Sequence, residues 1–188
     1  MFSDVFMAVT SYESRFSDMR FSLLPTVIAD AITDLTPKLL QEKGVSLLML
    51  DFDNTIVPYT TNEPTEEMAA WLQKMAESPI KLCVVSNSHR DRVKIFCGQM
   101  GIDCITHAKK PFSKGIAECL AKYALPPAAC ALAGDQIYTD VLGANCAGVQ
   151  SILVKAIDNH NFWLKARHVL ELPWIFAARK RRMTYEKS

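Results

Sequence analysis

From Val45 to Val154 the chain repeats one pattern: a short apolar run, a turn signal, then a stretch with helical spacing. The runs are Val45–Phe52, Lys81–Ser86, Asp103–Thr106, Cys130–Gly134 and Gln150–Val154. Runs this short, separated by helix-length segments, suit strands covered on both faces and joined by helical crossovers. The pattern predicts an α/β fold on a parallel sheet of about five strands. Between the first two runs, Met68, Trp71, Leu72 and Met75 fall at i, i+3, i+4 and i+7, one apolar stripe of a helix with Pro64 in its first turn. Arg90–Met100 before Gly101, Ser113–Tyr123, and Thr139–Ala147 before Gly148 read as three more helices with plausible stops. Upstream, Thr36 and Pro37 as cap and first residue, then Leu39, Leu40 and Gly44, predict a short entry helix. The chain divides into an N-terminal segment (1–44) packed on the domain, a core (45–157) and a tail (158–188).

Of the 188 residues, 49% are hydrophobic and 22% charged, enough apolar material for the core of one domain, which excludes disordered and fibrous classes. A formal charge of +1 gives no global signal for a polyanionic partner. The charge is uneven, however: residues 155–188 carry eight Lys and Arg against Asp158, Glu171 and Glu186, so any basic surface function sits in the tail. The longest uncharged run, Val141–Val154, is too short to cross a bilayer, which takes roughly 18 residues or more. Asp4 stands where a signal peptide wants positive charge, so the chain reads as not secreted. Cys83, Cys97, Cys104, Cys119, Cys130 and Cys146 form no C-x-x-C pair and read as reduced, largely buried thiols of a cytoplasmic protein. His89, His107, His160 and His168 lack zinc-ligand spacing.

Parallel sheets carry their chemistry at the carboxyl ends of strands, so the residues just after each run are the informative ones. The first run ends LLMLDFDNT, where Asp51 and Asp53 place two carboxylates two residues apart, with Thr55 following. A cation would hold such a pair together, while a plain strand end with an Asx turn at Asp53 and Asn54 is the simpler reading. The second run delivers Ser86 and Asn87 to a helix start, where hydroxyl, amide and backbone N–H groups suit either a phosphoryl oxygen or an ordinary cap. The third leads to Lys109 and Lys110, either a solvated pair in a turn or one ammonium balancing the acids. The fourth places Asp135 after Gly134 at a strand tip and Asp140 in the next helical turn. Asp140 is favoured there by the helix dipole alone, whereas Asp135 needs a partner such as a magnesium ion shared with the first strand.

Acid pair, Ser-Asn, Lys and acid pair, in that order, make the sequence resemble the haloacid dehalogenase (HAD) superfamily of phosphotransferases. More narrowly, DFDNTIVPY, VVSNS, AKKP and GDQIYTDVLGAN, preceded by LTPKLLQEKGV, are similar to the YqeG family of subfamily IIIA, which includes phosphatidylglycerophosphate phosphatases. The resemblance runs from about Phe21 to about Trp163 and departs from the commonest pattern at Phe52, an apolar exchange. It implies a HAD-like Rossmannoid three-layer sandwich and an aspartyl-phosphate mechanism. Asp51 would be the nucleophile and Asp53 the acid and base. Lys110, selected over Lys109 by the A-x-K-P pattern, would neutralise charge. Thr55, Ser86 and Asn87 would hold phosphoryl oxygens. Mg²⁺ would sit on Asp51, the Asp53 carbonyl and Asp135, with Asp140 as a ligand or as support for one.

In this superfamily, substrate choice is set largely by cap insertions. Here only Ile56–Glu63 and Ala108–Phe112 occupy the two insertion points, so no cap domain is expected. An open site favours a phosphate presented on something large. The resemblance suggests a phospholipid headgroup, phosphatidylglycerophosphate. In the tail, Phe162, Trp163, Trp174, Ile175 and Phe176 are interleaved with basic residues and followed by Arg179–Arg182, a composition that suits anionic lipid. Pro173 would interrupt any continuous helix there. Two other readings of the tail stay open: a solvated basic run over docked aromatics, and contact with nucleic acid or the ribosome. The matching rival function is an assembly factor that keeps this fold.

Overall fold

The computed structural model describes residues 21–61, 63–158 and 173–177. Its centre is a parallel sheet of six strands: β1 (Val27–Ala29), β2 (Leu47–Leu50), β3 (Lys81–Val85), β4 (Asp103–Ile105), β5 (Cys130–Gly134) and β6 (Gln150–Val154), in the order β1-β6-β5-β2-β3-β4. Five of these are the expected runs: β5 and β6 match in full, β3 and β4 each lose the last residue, and β2 loses two at each end. The sixth, β1, lies in the segment read as an N-terminal addition. Its three residues pair with β6 from Val27 opposite Ile152 to Ala29 opposite Val154. A strand this short has too few positions to show a period, so it forms where the β6 edge offers free backbone groups.

Among the described residues, these helices cover the sheet: α1 (Pro37–Glu42), α2 (Glu66–Ala76), α3 (Asp91–Met100), α4 (Lys114–Tyr123) and α5 (Leu142–Cys146). The strand period of two sorts the core into layers. Leu48, Leu50, Val84, Ala131, Ala133 and Ile152 face α2 and α3, meeting Met68, Trp71, Leu72, Met75, Val93 and Phe96. Leu47, Met49, Cys83, Val85 and Leu132 point the other way, onto Ile116 and Cys119 of α4 and Ala144 of α5. The structure is therefore a three-layer α/β sandwich. All four residues of the expected α2 stripe are buried, and the Trp71 indole N–H donates to Leu35 O at 2.8 Å.

Helix ends follow local chemistry. Thr36 caps α1 by accepting from the Leu39 N–H, with Pro37 as first residue, as the sequence predicts. In α2, Pro64 falls just outside the helix rather than in its first turn. Thr65 is the cap, because its hydroxyl accepts from the Met68 N–H. Gly101 ends α3 at φ 65°, a left-handed position where a side chain is unfavourable. The helical path before α5 starts at Ile137, earlier than Thr139, with a π-turn over Ile137–Val141 in which the Val141 N–H donates to Gln136 O at 3.2 Å. A wide turn breaks the 3.6-residue period and carries no sequence signature of its own.

β2 is followed in sequence by β3 and then β4 on one side, and the chain then crosses back to β5 on the other. The carboxyl end of β2 thus lies at the switch point where an α/β sheet opens a crevice. Among the described residues, the β2–α2 and β4–α4 connections hold no inserted domain. No described helix is long and apolar enough to cross a membrane, and all six cysteines are free thiols, four of them buried.

The β4–α4 connection is held tightly against α4. A Cβ on Gly115 would stand 2.5 Å from Ala108 Cβ and 2.6 Å from Ala108 Cα. Gly115→Ala therefore forces backbone to move and should cost about 1–3 kcal/mol, read as a lower urea midpoint at unchanged slope.

Candidate active site

The expected site residues lie at strand ends or in the connections that follow them. Asp51 directly follows β2, and its N–H extends the ladder by donating to Ala133 O of β5 at 2.9 Å. Asp135 directly follows β5. Asp140 is carried by the π-turn, which its own carboxylate closes by accepting from the Gln136 N–H at 3.1 Å. Lys110 comes from the β4–α4 connection. Its ammonium lies 2.6 Å from Asp51 Oδ1 and 2.7 Å from Asp140 Oδ1, with the side chain only 1% exposed. Asp51, Asp135 and Asp140 are all buried, and each places a carboxylate oxygen within 4.8 Å of the others.

Close approach needs a missing side chain. A Cβ on Gly134 would sit 2.3 Å from Asp140 Cγ, so only glycine lets the tip of β5 lie against that carboxylate. The lysine is aimed by Asn87, whose amide oxygen accepts from the Lys110 N–H at 2.7 Å while its amide nitrogen donates to Lys110 O at 2.8 Å. This reciprocal pair makes Asn87 a positioning residue for Lys110 and uses one of its two amide N–H bonds. The same loop holds His107 and Lys109 at φ 57°, both left-handed, which costs a non-glycine residue of order 1 kcal/mol or more. The Ala108 N–H bond to Ser86 O, 3.0 Å, and the Asn87 pair over-determine the loop and sustain that cost.

Burial pushes the Asp51 carboxyl up to about 7 against the pull of Lys110, with Asp140 and Asp53 adding to the rise. Burial works against the Lys110 charge too, but Asp140 and Asp51 together outweigh it and hold the lysine above its ordinary value, firmly protonated. Two of the three buried carboxylates, Asp51 and Asp140, thus share one ammonium. Asp51 Oδ2 is buried and accepts no hydrogen bond from any described residue. An anionic oxygen cluster with too little positive charge and an oxygen to spare fits a hard divalent cation, and the residues that would hold it are Asp51, Asp135 and Asp140. Asp140 therefore belongs with the possible ligands.

Asp53 stands apart from this cluster. Its Oδ1 accepts from Arg92 Nη2 at 2.7 Å, so its carboxylate is held by an arginine; the expectation for the metal concerned its backbone carbonyl. Arg92 also reaches Thr61 O at 3.2 Å and Pro58 O at 3.5 Å, and its guanidinium lies 5.1 Å from the centre of the Phe52 ring. It thereby ties the Asp53 loop to α3. Sequence reading missed Arg92, since a basic residue in a helix's first turn carries no signal of a carboxylate 39 positions away. Ser86 is buried, and its Oγ accepts from the Ser88 N–H at 3.0 Å, which leaves its own O–H to donate. Thr55 Oγ1 is buried without a hydrogen-bond partner among the described residues. Asn54 turns the chain at φ 66° and clasps Asp158, accepting from its N–H at 2.9 Å and donating to its carbonyl at 2.6 Å. At the outer edge of the two loops, His89 and His107 meet Nδ1 to Nδ1 at 2.8 Å, a contact that their separation in sequence does not announce.

Comparison with known proteins agrees with this geometry. Residues 107–161 match the model of a HAD-hydrolase-like family. The probable phosphatase YqeG of Bacillus subtilis is 37% identical over 131 residues, covering 70% of this chain and 76% of that protein. Among solved structures, a hypothetical protein of Xanthomonas campestris superposes with a TM-score of 0.51 at 15% identity, covering 74% of this chain and 79% of that one. The cobalt-bound deoxy-D-mannose-octulosonate 8-phosphate phosphatase of Haemophilus influenzae has a TM-score of 0.49 at 10% identity, covering 72% and 92%. The extent of identity with YqeG, with acidic, Ser-Asn, Lys and acidic motifs converging at one sheet edge, shows that this chain belongs to the HAD-like hydrolase family.

Proposed function

We propose that the chain is a Mg²⁺-dependent phosphomonoesterase that works through an aspartyl phosphate on Asp51, with phosphatidylglycerophosphate as its substrate. The observation that carries the chemistry is the buried Asp51, which shares Lys110 with Asp140 yet keeps Oδ2 without a hydrogen bond from any described residue. A carboxylate placed only for stability would have both oxygens satisfied. Family membership and the similarity to YqeG support phosphatase activity. The lipid substrate rests on the motif resemblance and on the absence of a cap among the described residues.

In this reading Asp51 Oδ2 attacks phosphorus, the phosphorus–oxygen bond to the alcohol breaks, and Asp53 gives its proton to the departing oxygen. Asp53, now a carboxylate, takes a proton from water as that water attacks the acyl phosphate, which releases phosphate and restores Asp51. Lys110 pulls Asp51 toward its anion against the effect of burial and offsets charge that gathers on the phosphoryl group. The Ser86 and Thr55 hydroxyls are free to donate to phosphoryl oxygens, and Arg92 fixes where Asp53 stands. A divalent cation on Asp51, Asp135 and Asp140 would supply Lewis acidity and let an anionic nucleophile approach an anionic ester.

Asp51→Asn keeps the shape and removes the anion. Phosphate release from a soluble ester should fall to background with the fold intact by circular dichroism, and retention of more than about a tenth of the rate, ~1.4 kcal/mol of barrier, would exclude Asp51 as nucleophile. The two lysines should separate cleanly. Lys110→Ala leaves two buried carboxylates without their cation and should cost about 3–5 kcal/mol in metal-free urea unfolding, along with most of the activity. Lys109→Ala, at an exposed position, should stay within about 0.5 kcal/mol of the parent and keep its turnover of the soluble ester. EDTA should abolish activity and Mg²⁺ restore it, with Ca²⁺ a poor substitute because its looser shell suits the site less well. Millimolar Mg²⁺ should also raise the thermal midpoint of the parent and not that of Asp135→Asn, a readout independent of turnover.

A further inference from the structure

The described residues leave few large apolar side chains exposed, and four of them, Tyr59, Phe112, Tyr138 and Ile157, belong to one edge of the molecule. They come from four different segments, those that follow β2, β4, β5 and β6, so all leave the carboxyl edge of the sheet. Each segment is tied to the catalytic cluster. Pro58 and Thr61, on either side of Tyr59, accept bonds from the arginine that holds Asp53. Phe112, 74% exposed, lies two residues beyond Lys110, and its N–H closes the turn onto Lys109 O at 2.9 Å. Tyr138 lies between Asp135 and Asp140 in sequence. The Ile157 N–H donates to Asn54 O at 3.0 Å, next to Asp53. Four exposed or partly exposed apolar groups therefore leave the sheet at the same edge as the catalytic cluster, Phe112 the most exposed of them.

Charge on the same edge is graded. Exposed Arg90, Lys109 and Lys114, with Asp91 beside Arg90, stand on the β3–β4 side and Lys155 follows β6, while Glu63, Glu66 and Glu67 gather at the start of α2. Apolar and aromatic groups at the rim, with basic groups outside them on one flank, match the boundary between acyl chains and anionic headgroups. A protein or RNA surface would meet the basic flank equally well, and a protein the apolar groups too; the phosphomonoester lipid of the proposed function is what favours a bilayer here.

We infer that the carboxyl edge of the sheet is itself a membrane-docking face. Tyr59, Phe112, Tyr138 and Ile157 enter the headgroup boundary of an anionic bilayer, Arg90, Lys109 and Lys155 meet its headgroups, and the phosphomonoester is reached without leaving the membrane. The inference rests on the phosphatase reading with a lipid substrate, and it places docking on the site face; the basic tail, most of which lies outside the described residues, is not needed for it.

The test uses the full chain with phosphatidylcholine vesicles, plain or doped with phosphatidylglycerol, and compares turnover of a phosphomonoester lipid in those vesicles with turnover of soluble p-nitrophenyl phosphate. The parent should partition onto doped vesicles in a salt-sensitive manner. Phe112→Ser with Ile157→Ser should weaken partition and vesicle turnover by about ten-fold or more, the factor expected for partial burial of a large apolar side chain, with soluble-ester kcat/KM within about two-fold. Tyr59→Ser with Lys109→Ser tests another part of the rim, so that one variant failing to fold leaves the other decisive. Partition that survives both pairs, or loss confined to Trp174→Ser with Phe176→Ser, overturns the inference, as does a parent that binds RNA and ignores vesicles. A parent that binds vesicles through this face but cleaves no phosphomonoester removes the phosphatase reading and keeps the docking face.

Discussion

One ammonium, that of Lys110, lies between two buried carboxylates from different strand ends, and the arrangement of the sheet's carboxyl edge depends on it. Asp51 arrives on β2, Asp140 on the turn after β5, and the lysine from beyond β4. Their convergence therefore requires β2 to sit between β3 and β5, as it does. Taking such groups out of water costs several kcal/mol per ion, and their mutual attraction rarely does more than offset that cost. A chain selected for stability alone would do better with apolar residues at these positions. The cluster is better understood as a place where desolvation is accepted so that charge is arranged before a ligand arrives.

That arrangement is supported from outside the cluster. Asn87 grips the Lys110 backbone at both its N–H and its carbonyl, Gly134 leaves room for Asp140, and Arg92 holds Asp53 while tying down the loop behind it. None of these residues needs to touch a substrate to matter. Each converts a flexible side chain into a fixed one at the cost of local freedom, which is how a site on loops acquires the precision of a site on strands.

Much of this was legible before any coordinates, for identifiable reasons. The central strands are covered on both faces and read as continuous apolar runs, and the α2 stripe is a full helical period, so both announce themselves. The position of acids, Ser86 and Lys110 just after runs was enough to place them on one edge. What stayed hidden was relational. β1 is three residues long and exists because β6 has an edge to offer. The π-turn at Ile137 defeats a search for a 3.6-residue period. The clasp of Asn87 on a loop 23 residues later carries no signal in the sequence, because an amide after a strand suits a phosphate ligand just as readily. Arg92 and Asp53, and His89 and His107, meet only through the fold.

The β4–α4 loop shows how one short segment can serve two surfaces. Lys109 and Lys110 are chemically identical neighbours, yet one is exposed and the other buried in the cluster. The difference is made by the backbone: left-handed φ at His107 and again at Lys109 twists the chain so that successive side chains part company. Asn87 and Ser86 then hold that twist from the neighbouring strand end. In the proposed reading the inward lysine completes a charge arrangement for a phosphoryl group, and the outward one, beside exposed Phe112, belongs to the docking face. A shift of one residue in this loop would exchange the two, so the register that aims the catalytic charge is the same register that shapes the surface around it.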